Sequence, residues 1–309
     1  VILTVTLNAA LDTTYDVDRL VPHASHRVRE VRHRAGGKGV NVARVLQALG
    51  HPAVVTGFAG GPTGGAIHDD LARADLVDAL VDLPGESRRT VTVVSAADGD
   101  ATVFNEPGPH VDAEDWHRFL SRFATLARDA AVVVLSGSLP PGVPADAYAE
   151  LTRLAAEHGA RTIVDAEGEP LRLAVRSRPD VVKPNADELR RTTGRPEPEA
   201  GAALLRDAGA RAVVASLGAE GMLVVSDQGA WRASPPERVA GNPTGAGDAC
   251  VAALAVGLRD GLDWPATLRE AVALSAAAVL HPAAGGFDDQ ARRRFLSGVE
   301  VRGLDGVGA

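Results

Sequence analysis

Gly241-Asn242-Pro243-Thr244-Gly245-Ala246-Gly247-Asp248 carries a polar loop into the apolar helical pattern of residues 249–258. The small residues 245–247 stand where a helix has its unpartnered backbone N–H groups, and the helix dipole adds partial positive charge there. With little side-chain bulk in the way, an anion can approach the amides of Gly245, Ala246 and Gly247, so the turn is equipped as an anion hole. Asp248 sits beside it in the first turn, placed to take a proton from a nucleophile attacking a phosphoryl group. The plainer reading is a glycine-rich helix start with an N-terminal aspartate, and the rest of the chain has to decide between the two. Spacing excludes two other phosphate-binding patterns. Lys38 is followed by Gly39 rather than by a hydroxyl residue, so there is no G-x-x-x-x-G-K-[ST]. The first βα unit runs into Asn8-Ala9-Ala10-Leu11-Asp12 and lacks the G-x-G-x-x-G of a dinucleotide fold.

The 309 residues suffice to bury a large core, and a composition 45% hydrophobic and 23% charged is ordinary for a globular protein. A net charge of −8 argues against a nucleic-acid partner, yet a local basic cluster still suits an anionic substrate. The single cysteine, Cys250, rules out an internal disulfide, suits a reducing cytoplasm and is read as packing. The opening run, residues 1–7, has no basic flank and is not expected to act as a signal peptide. The most apolar late stretch, residues 271–280, is half as long as a membrane span needs, so no membrane role is expected.

Short Val/Ile-rich runs alternate with helical patterns along the chain. Strands are predicted at residues 1–7, 53–58, 131–135, 162–165, 180–183, 212–216 and 222–225. Helices are predicted at 38–49, 63–74, 113–128, 145–157, 186–193, 199–207, 245–259 and 265–280. This alternation predicts an α/β fold, a doubly wound and mainly parallel sheet with helices on both faces. Sites in such sheets lie beyond the carboxyl ends of the strands, where Asn8, Ser136, Asp165, Lys183 and Ser216 fall. Two segments break the pattern with period-2 alternation, about 13–34 and 88–105, the second folding back at a turn over 97–100. They are expected to be antiparallel strands forming a small inserted β-lid on a single domain spanning 1–309. The tail, residues 301–309, is glycine-rich and expected to be mobile.

Three further clusters carry chemistry. Gly36-Gly37-Lys38-Gly39-Val40-Asn41 places glycines, a cation and an amide at a helix start, which suits a polyol or phosphate and equally an ordinary glycine turn. Ser136-Gly137-Ser138-Leu139-Pro140-Pro141-Gly142 makes a rigid turn with two hydroxyls after a buried strand. In Lys183-Pro184-Asn185-Ala186-Asp187-Glu188, Asn185 and Glu188 share one face of a helix start. That pair fits a hydrated Mg²⁺, which keeps several waters, and fits a capping box equally well.

Gathered in order, these elements resemble the ribokinase-like carbohydrate kinases, the phosphofructokinase B family, over essentially residues 1–298. The signature regions are AGGKGVNVARVLQALG (35–50) and NPTGAGDACVAAL (242–254). The finer likeness is to the phosphosugar branch of 1-phosphofructokinases, tagatose-6-phosphate kinases and minor 6-phosphofructokinases. It is carried by TLNAALD, NEPGP (105–109), SGSLPPG, DAEGE (165–169), KPNADEL and SLGAEG (216–221). The resemblance implies ATP-dependent, Mg²⁺-assisted phosphorylation of a ketohexose phosphate, with Asp248 as base and the 245–247 amides as anion hole. It implies Asp12, Gly37 and Asn41 on sugar hydroxyls, and Lys38, Arg88 and Ser138 towards the substrate's own phosphate. On the nucleotide side it implies Lys183 on the ATP phosphates and Asn185 with Glu188 on the metal. Ser216, Gly218 and Gly221 would border the nucleotide, with adenine towards a loop near 276–281.

The chain also departs from the branch. Ala9 stands at a usual proline, Ala249 at a common serine after the aspartate, and Glu167 at a serine. Arg88-Arg89-Thr90 replaces Arg-Thr-Asn, which favours Arg88 as the phosphate-gripping arginine. Asn242 replaces an aspartate that helps ribokinases hold a monovalent cation, which removes one support for potassium activation. His281 stands where asparagine is frequent and bears on nucleotide preference.

Fructose 1-phosphate is the expected substrate, with tagatose 6-phosphate and fructose 6-phosphate as alternatives. A non-catalytic sugar-phosphate sensor is the competing class, and it has no need of Asp248 beside intact glycines. The enzyme is expected to be cytoplasmic and a homodimer paired through the lid.

Overall fold

The computed structural model describes residues 1–97 and 99–304. Strand order in the main sheet runs Glu300–Gly303, Gly229–Ser234, Met222–Ser226, Ala212–Ser216, Val181–Val182, Arg161–Asp165, Val132–Ser136, Ile2–Thr6, Ala53–Gly60, Val77–Asp78. A short strand, Val81–Leu83, continues alongside Ala53–Gly60. From Ala212–Ser216 inward all pairings are parallel; outward from it they are antiparallel. The parallel strands are almost wholly buried because both faces are covered, and Val132–Ser136 and Val181–Val182 are apolar almost throughout. In Val132–Ser136, Val132 and Val134 join the core under helices Lys38–Ala48, Ala246–Asp260 and Trp264–Val279, while Val133 and Leu135 join the opposite core under Ala113–Ala127 and Ala147–Glu157. Each fully buried Val or Leu there contributes about 1.5–3 kcal/mol.

A second, four-stranded sheet has the order Glu30–Gly36, Ala10–Val17, Arg88–Ser95, Ala101–Asn105. It departs from expectation in two ways. Its central strands, Ala10–Val17 and Arg88–Ser95, are parallel, from Ala10↔Arg88 to Val17↔Ser95, rather than antiparallel. Period-2 alternation fixes which face a residue takes but carries no sign of direction. The first strand also begins at Ala10, so Asp12 lies within this sheet instead of before it.

Residues 301–303, expected to be mobile, belong to a strand that pairs with Gly229–Ser234; the remaining tail, 305–309, lies outside the described residues, as does Asp98 of the expected turn. Among the described residues no helix is long and apolar enough to cross a membrane.

Candidate active site

A cleft of about 1240 Å³ opens where the carboxyl ends of the parallel strands meet the small sheet. Helix Ala246–Asp260 starts in its wall. Gly245, its N-cap, has φ 88°, a left-handed conformation that disfavours any residue with a Cβ. A Cβ on Gly247 would stand 3.5 Å from Lys183 Nζ, so the bare backbone leaves the ammonium open to the turn. The Ala246 N–H donates to Pro243 O at 3.2 Å, so one of the three expected anion-hole amides is engaged within the loop. Asp248 is buried, and its Oδ2 accepts from Asn41 Nδ2 at 2.9 Å. Burial, and then the nearby Asp165, push its carboxyl up to about 7, against the opposing pull of the Asn41 hydrogen bond and the Lys38 and Lys183 ammoniums.

Opposite this turn, Asp12 and Arg88 arrive on the paired strands of the small sheet, and Gly37, Lys38 and Asn41 arrive at the start of helix Lys38–Ala48. Gly37 has φ 104°, and Gly36 has no Cβ to collide with the Asp12 carboxylate. Burial raises the Asp12 carboxyl, while the Thr90 hydrogen bond and the Arg88, Arg34 and Arg44 guanidiniums pull it back. Arg88 is fixed by Nε donating to Asn8 O (3.0 Å) and Nη1 donating to Thr90 Oγ1 (3.2 Å).

Ser138 does not line this cleft. It lines a second cavity of about 810 Å³ together with Asn8, Asn105, Glu106, Ser136 and Glu167. The two cavities share Gly37, Lys38 and Arg88. Asn8 Nδ2 bridges Ser138 Oγ (3.1 Å) and Pro107 O (3.0 Å). Asn8 Oδ1, Thr6 Oγ1 and Ser136 Oγ are buried around this cavity without a hydrogen-bond partner among the described residues. Such atoms cost free energy unless water or a ligand satisfies them.

On the other side of the cleft stand Lys183, Asn185, Glu188, Ser216, Gly218 and Gly221. Asn185 and Glu188 do form a capping box: Asn185 N–H donates to Glu188 Oε2 and Glu188 N–H to Asn185 Oδ1, both at 2.8 Å. The capping bonds engage the one side-chain oxygen of Asn185, which keeps a second lone pair, and one of the two carboxylate oxygens of Glu188. Among the described residues no cluster of three or more His, Cys, Asp or Glu could hold a metal. A hard-oxygen pair on the cleft wall, with the second Glu188 oxygen outside the box, still fits a largely hydrated Mg²⁺. Ala276 and Val279 line the cleft from the last turns of helix Trp264–Val279, so the surface expected from a loop near 276–281 is helical up to 279. His281 turns to Ala283 O instead, at 2.8 Å.

Asp165 is the residue to which sequence reasoning gave no role. It ends strand Arg161–Asp165, has a side chain 2% exposed, and its Oδ1 accepts from Lys38 Nζ (3.2 Å) and lies 3.5 Å from Lys183 Nζ. Its place at a strand end was visible in sequence, but its partners come from other elements. Asn8, read at a strand end, and Thr90, read beside Arg88, were given no part in anchoring Arg88 for the same reason.

The model of the pfkB family carbohydrate kinases matches residues 5–290. A 1-phosphofructokinase from Rhodobacter capsulatus is 39% identical over 90% of this chain and 90% of its own length. A tagatose-6-phosphate kinase from Staphylococcus epidermidis is 34% identical over 83% of this chain and 85% of its own. The solved structure of phosphofructokinase-2 from Escherichia coli in complex with potassium superposes with a TM-score of 0.91 at 29% identity, covering 96% of this chain and 98% of that one. The mostly parallel sheet is thus the ribokinase-like arrangement, and the chain belongs to the pfkB family carbohydrate kinases.

Proposed function

We propose that this kinase transfers the γ-phosphoryl group of ATP to a ketohexose phosphate, foremost fructose 1-phosphate, forming fructose 1,6-bisphosphate and ADP. The observation that carries this reading is the pair of cavities joined through Gly37, Lys38 and Arg88. The larger has room for nucleotide and sugar end to end, and the two cations at the junction, Lys38 and Arg88, support a sugar that already carries a phosphate. Asp12 and Asn41 supply carboxylate and amide groups for sugar hydroxyls. Asp248 takes the proton from the attacking hydroxyl as its oxygen bonds to the γ-phosphorus and the bond to the ADP oxygen breaks. Lys183 and the open amides of the 245–247 turn offset the charge that builds on the transferring group. Asn185 and Glu188 would hold Mg²⁺ through water, where the ion offsets phosphate charge. The small sheet acts as the lid that excludes water, and its outer strands pair with a second copy.

The test is kcat/KM measured side by side on fructose 1-phosphate, fructose 6-phosphate, tagatose 6-phosphate and free fructose, for the wild type and Arg88→Ala. Losing a hydrogen bond to a charged group costs about 1.5–3 kcal/mol, so Arg88→Ala should raise KM for the phosphosugar about ten- to a hundredfold and leave KM for ATP nearly unchanged. A preference for free fructose, or indifference of the variant, overturns the phosphosugar assignment. A preference for either 6-phosphate replaces only the named substrate.

A further inference from the structure

The sugar side and the nucleotide side of the cleft meet in one buried carboxylate. Lys38 opens the helix that carries Asn41, and Lys183 leaves the strand that leads to Asn185; both ammoniums rest on Oδ1 of Asp165. The backbone around Asp165 is held on every side. It pairs in register with Ser136, its carbonyl accepts from Gly137 N–H (3.1 Å), and Lys183 N–H donates to Val164 O (3.0 Å). Asp248 lines the same cleft and interacts electrostatically with both lysines and with Asp165.

Two further titratable groups against this cluster, Tyr148 and Cys250, are kept neutral by burial. Tyr148, pushed up by burial, donates its hydroxyl to Gly137 O, and burial pushes the Cys250 thiol up to about 12. Glu188 adds a further negative group on the nucleotide side. Burial alone would pull Lys38 down, but the surrounding carboxylates, Asp165 foremost, hold it above the usual lysine range. Lys183 is buried almost completely, so a single missing counter-charge leaves an ammonium with nowhere to find water.

We infer that Asp165 is a positioning residue that holds Lys38 and Lys183 as one pair across the line of phosphoryl transfer, so that the two substrate sites share a single counter-ion. It lines the cleft, and its carboxylate acts through the two ammoniums it holds. When anionic phosphates enter from either side, each lysine has one fixed partner to swing from, and the two move from a common origin. Its charge also keeps Asp248 a competent base near neutral pH, because a like charge disfavours ionisation of the buried carboxyl.

The inference rests on the phosphoryl-transfer reading of the site, and the test separates the two. Wild type, Asp165→Asn and Asp165→Glu are assayed for kcat and both KM values, with kcat/KM followed from pH 5 to 9. Misplacing groups by a fraction of a bond length at a site like this costs about 10²-fold, so Asp165→Asn should lower kcat by that order and raise KM for sugar and ATP together. With the like charge gone and both lysines uncompensated, the acid limb of its profile should move to lower pH by about one unit. Asp165→Glu keeps the charge and should return that limb to the wild-type position, with both KM values still raised in parallel. A fixed acid limb in Asp165→Asn, an effect confined to one substrate in either variant, or a Glu variant no better than Asn overturns the inference. Should Asp165→Asn not fold, the parallel movement of both KM values in Asp165→Glu alone decides it. An inactive wild type on every sugar overturns the functional reading and this inference with it.

Discussion

Asp248 combines three properties that pull against one another: it is buried, it is expected to be ionised when it acts, and it sits near a second carboxylate. Its carboxyl ionises at about 7 in the fold against 3.8 as the ordinary value. The folded state therefore holds a proton that the unfolded chain has lost, and the penalty for ionising the buried group grows as pH rises between those values and is complete above them. Two outcomes follow for Asp248→Asn. Turnover should fall about 10²–10⁴-fold, the usual cost of losing a positioned base, with ATP and sugar KM little changed. Its melting temperature should exceed that of the wild type, by more at pH 8 than at pH 5, because only the wild type carries the buried charge. Retention of more than about a tenth of wild-type turnover removes the base assignment. In the wild type, kcat/KM should rise with pH through about 7 and then level, reporting ionisation in the free enzyme.

At the scale of elements, helix Ala186–Thr193 shows how one pair of side chains takes two duties. Its capping box satisfies backbone groups at the helix start while the same residues face the cleft. Asn185→Ala should lower stability by about 1 kcal/mol in urea melts without nucleotide, as lost N-caps do. If the pair also orders Mg²⁺, the variant should need more Mg²⁺ for half-maximal rate; a stability loss with an unchanged Mg²⁺ requirement would leave only the cap. This helix and strand Ala212–Ser216 were readable in sequence to the residue, because capping signals and a Val-rich run mark their ends. Helix Asp289–Leu296 was not, since Arg292-Arg293-Arg294 interrupts its face and only Ala291 and Phe295 are buried. Strand Gly229–Ser234 was missed because, in the antiparallel extension of the sheet and one strand in from its edge, it is half-buried and without a clean alternation. The motifs gave the anion turn, the lysines and the capping pair, whereas the Lys38–Asp165 contact spans 127 residues and exists only once the sheet has formed.

Across the whole molecule, the main sheet is sheathed by helices on both faces, while the small sheet stands at the mouth of the cleft; helix Gly61–Arg73 caps the end of one edge strand, where Ala35 N–H donates to Asp70 Oδ2, and among the described residues no further strand covers either edge. Its outer strands are Glu30–Gly36 and Ala101–Asn105, and on them Val31 is 48%, Val103 51% and Phe104 57% exposed. Val103 and Phe104 are consecutive, so they point to opposite faces, and strand Ala101–Asn105 is therefore open on both. Unpaired backbone groups beside exposed apolar side chains invite another strand, which proteins manage by charge, cover or pairing. A symmetric dimer through this sheet would cover the edges, and a stable one needs about 800 Å² per partner. We expect the protein to sediment as a dimer at micromolar concentration. Phe104→Glu should shift it towards monomer, because pairing would then bury a charge without a partner. The same variant should also raise KM for the phosphosugar, since Asp12 and Arg88 lie on the two strands between these edges and a sheet released from its partner holds them less firmly. A wild type that stays monomeric at that concentration removes the dimer. A dimer that Phe104→Glu leaves intact moves the interface elsewhere on the molecule.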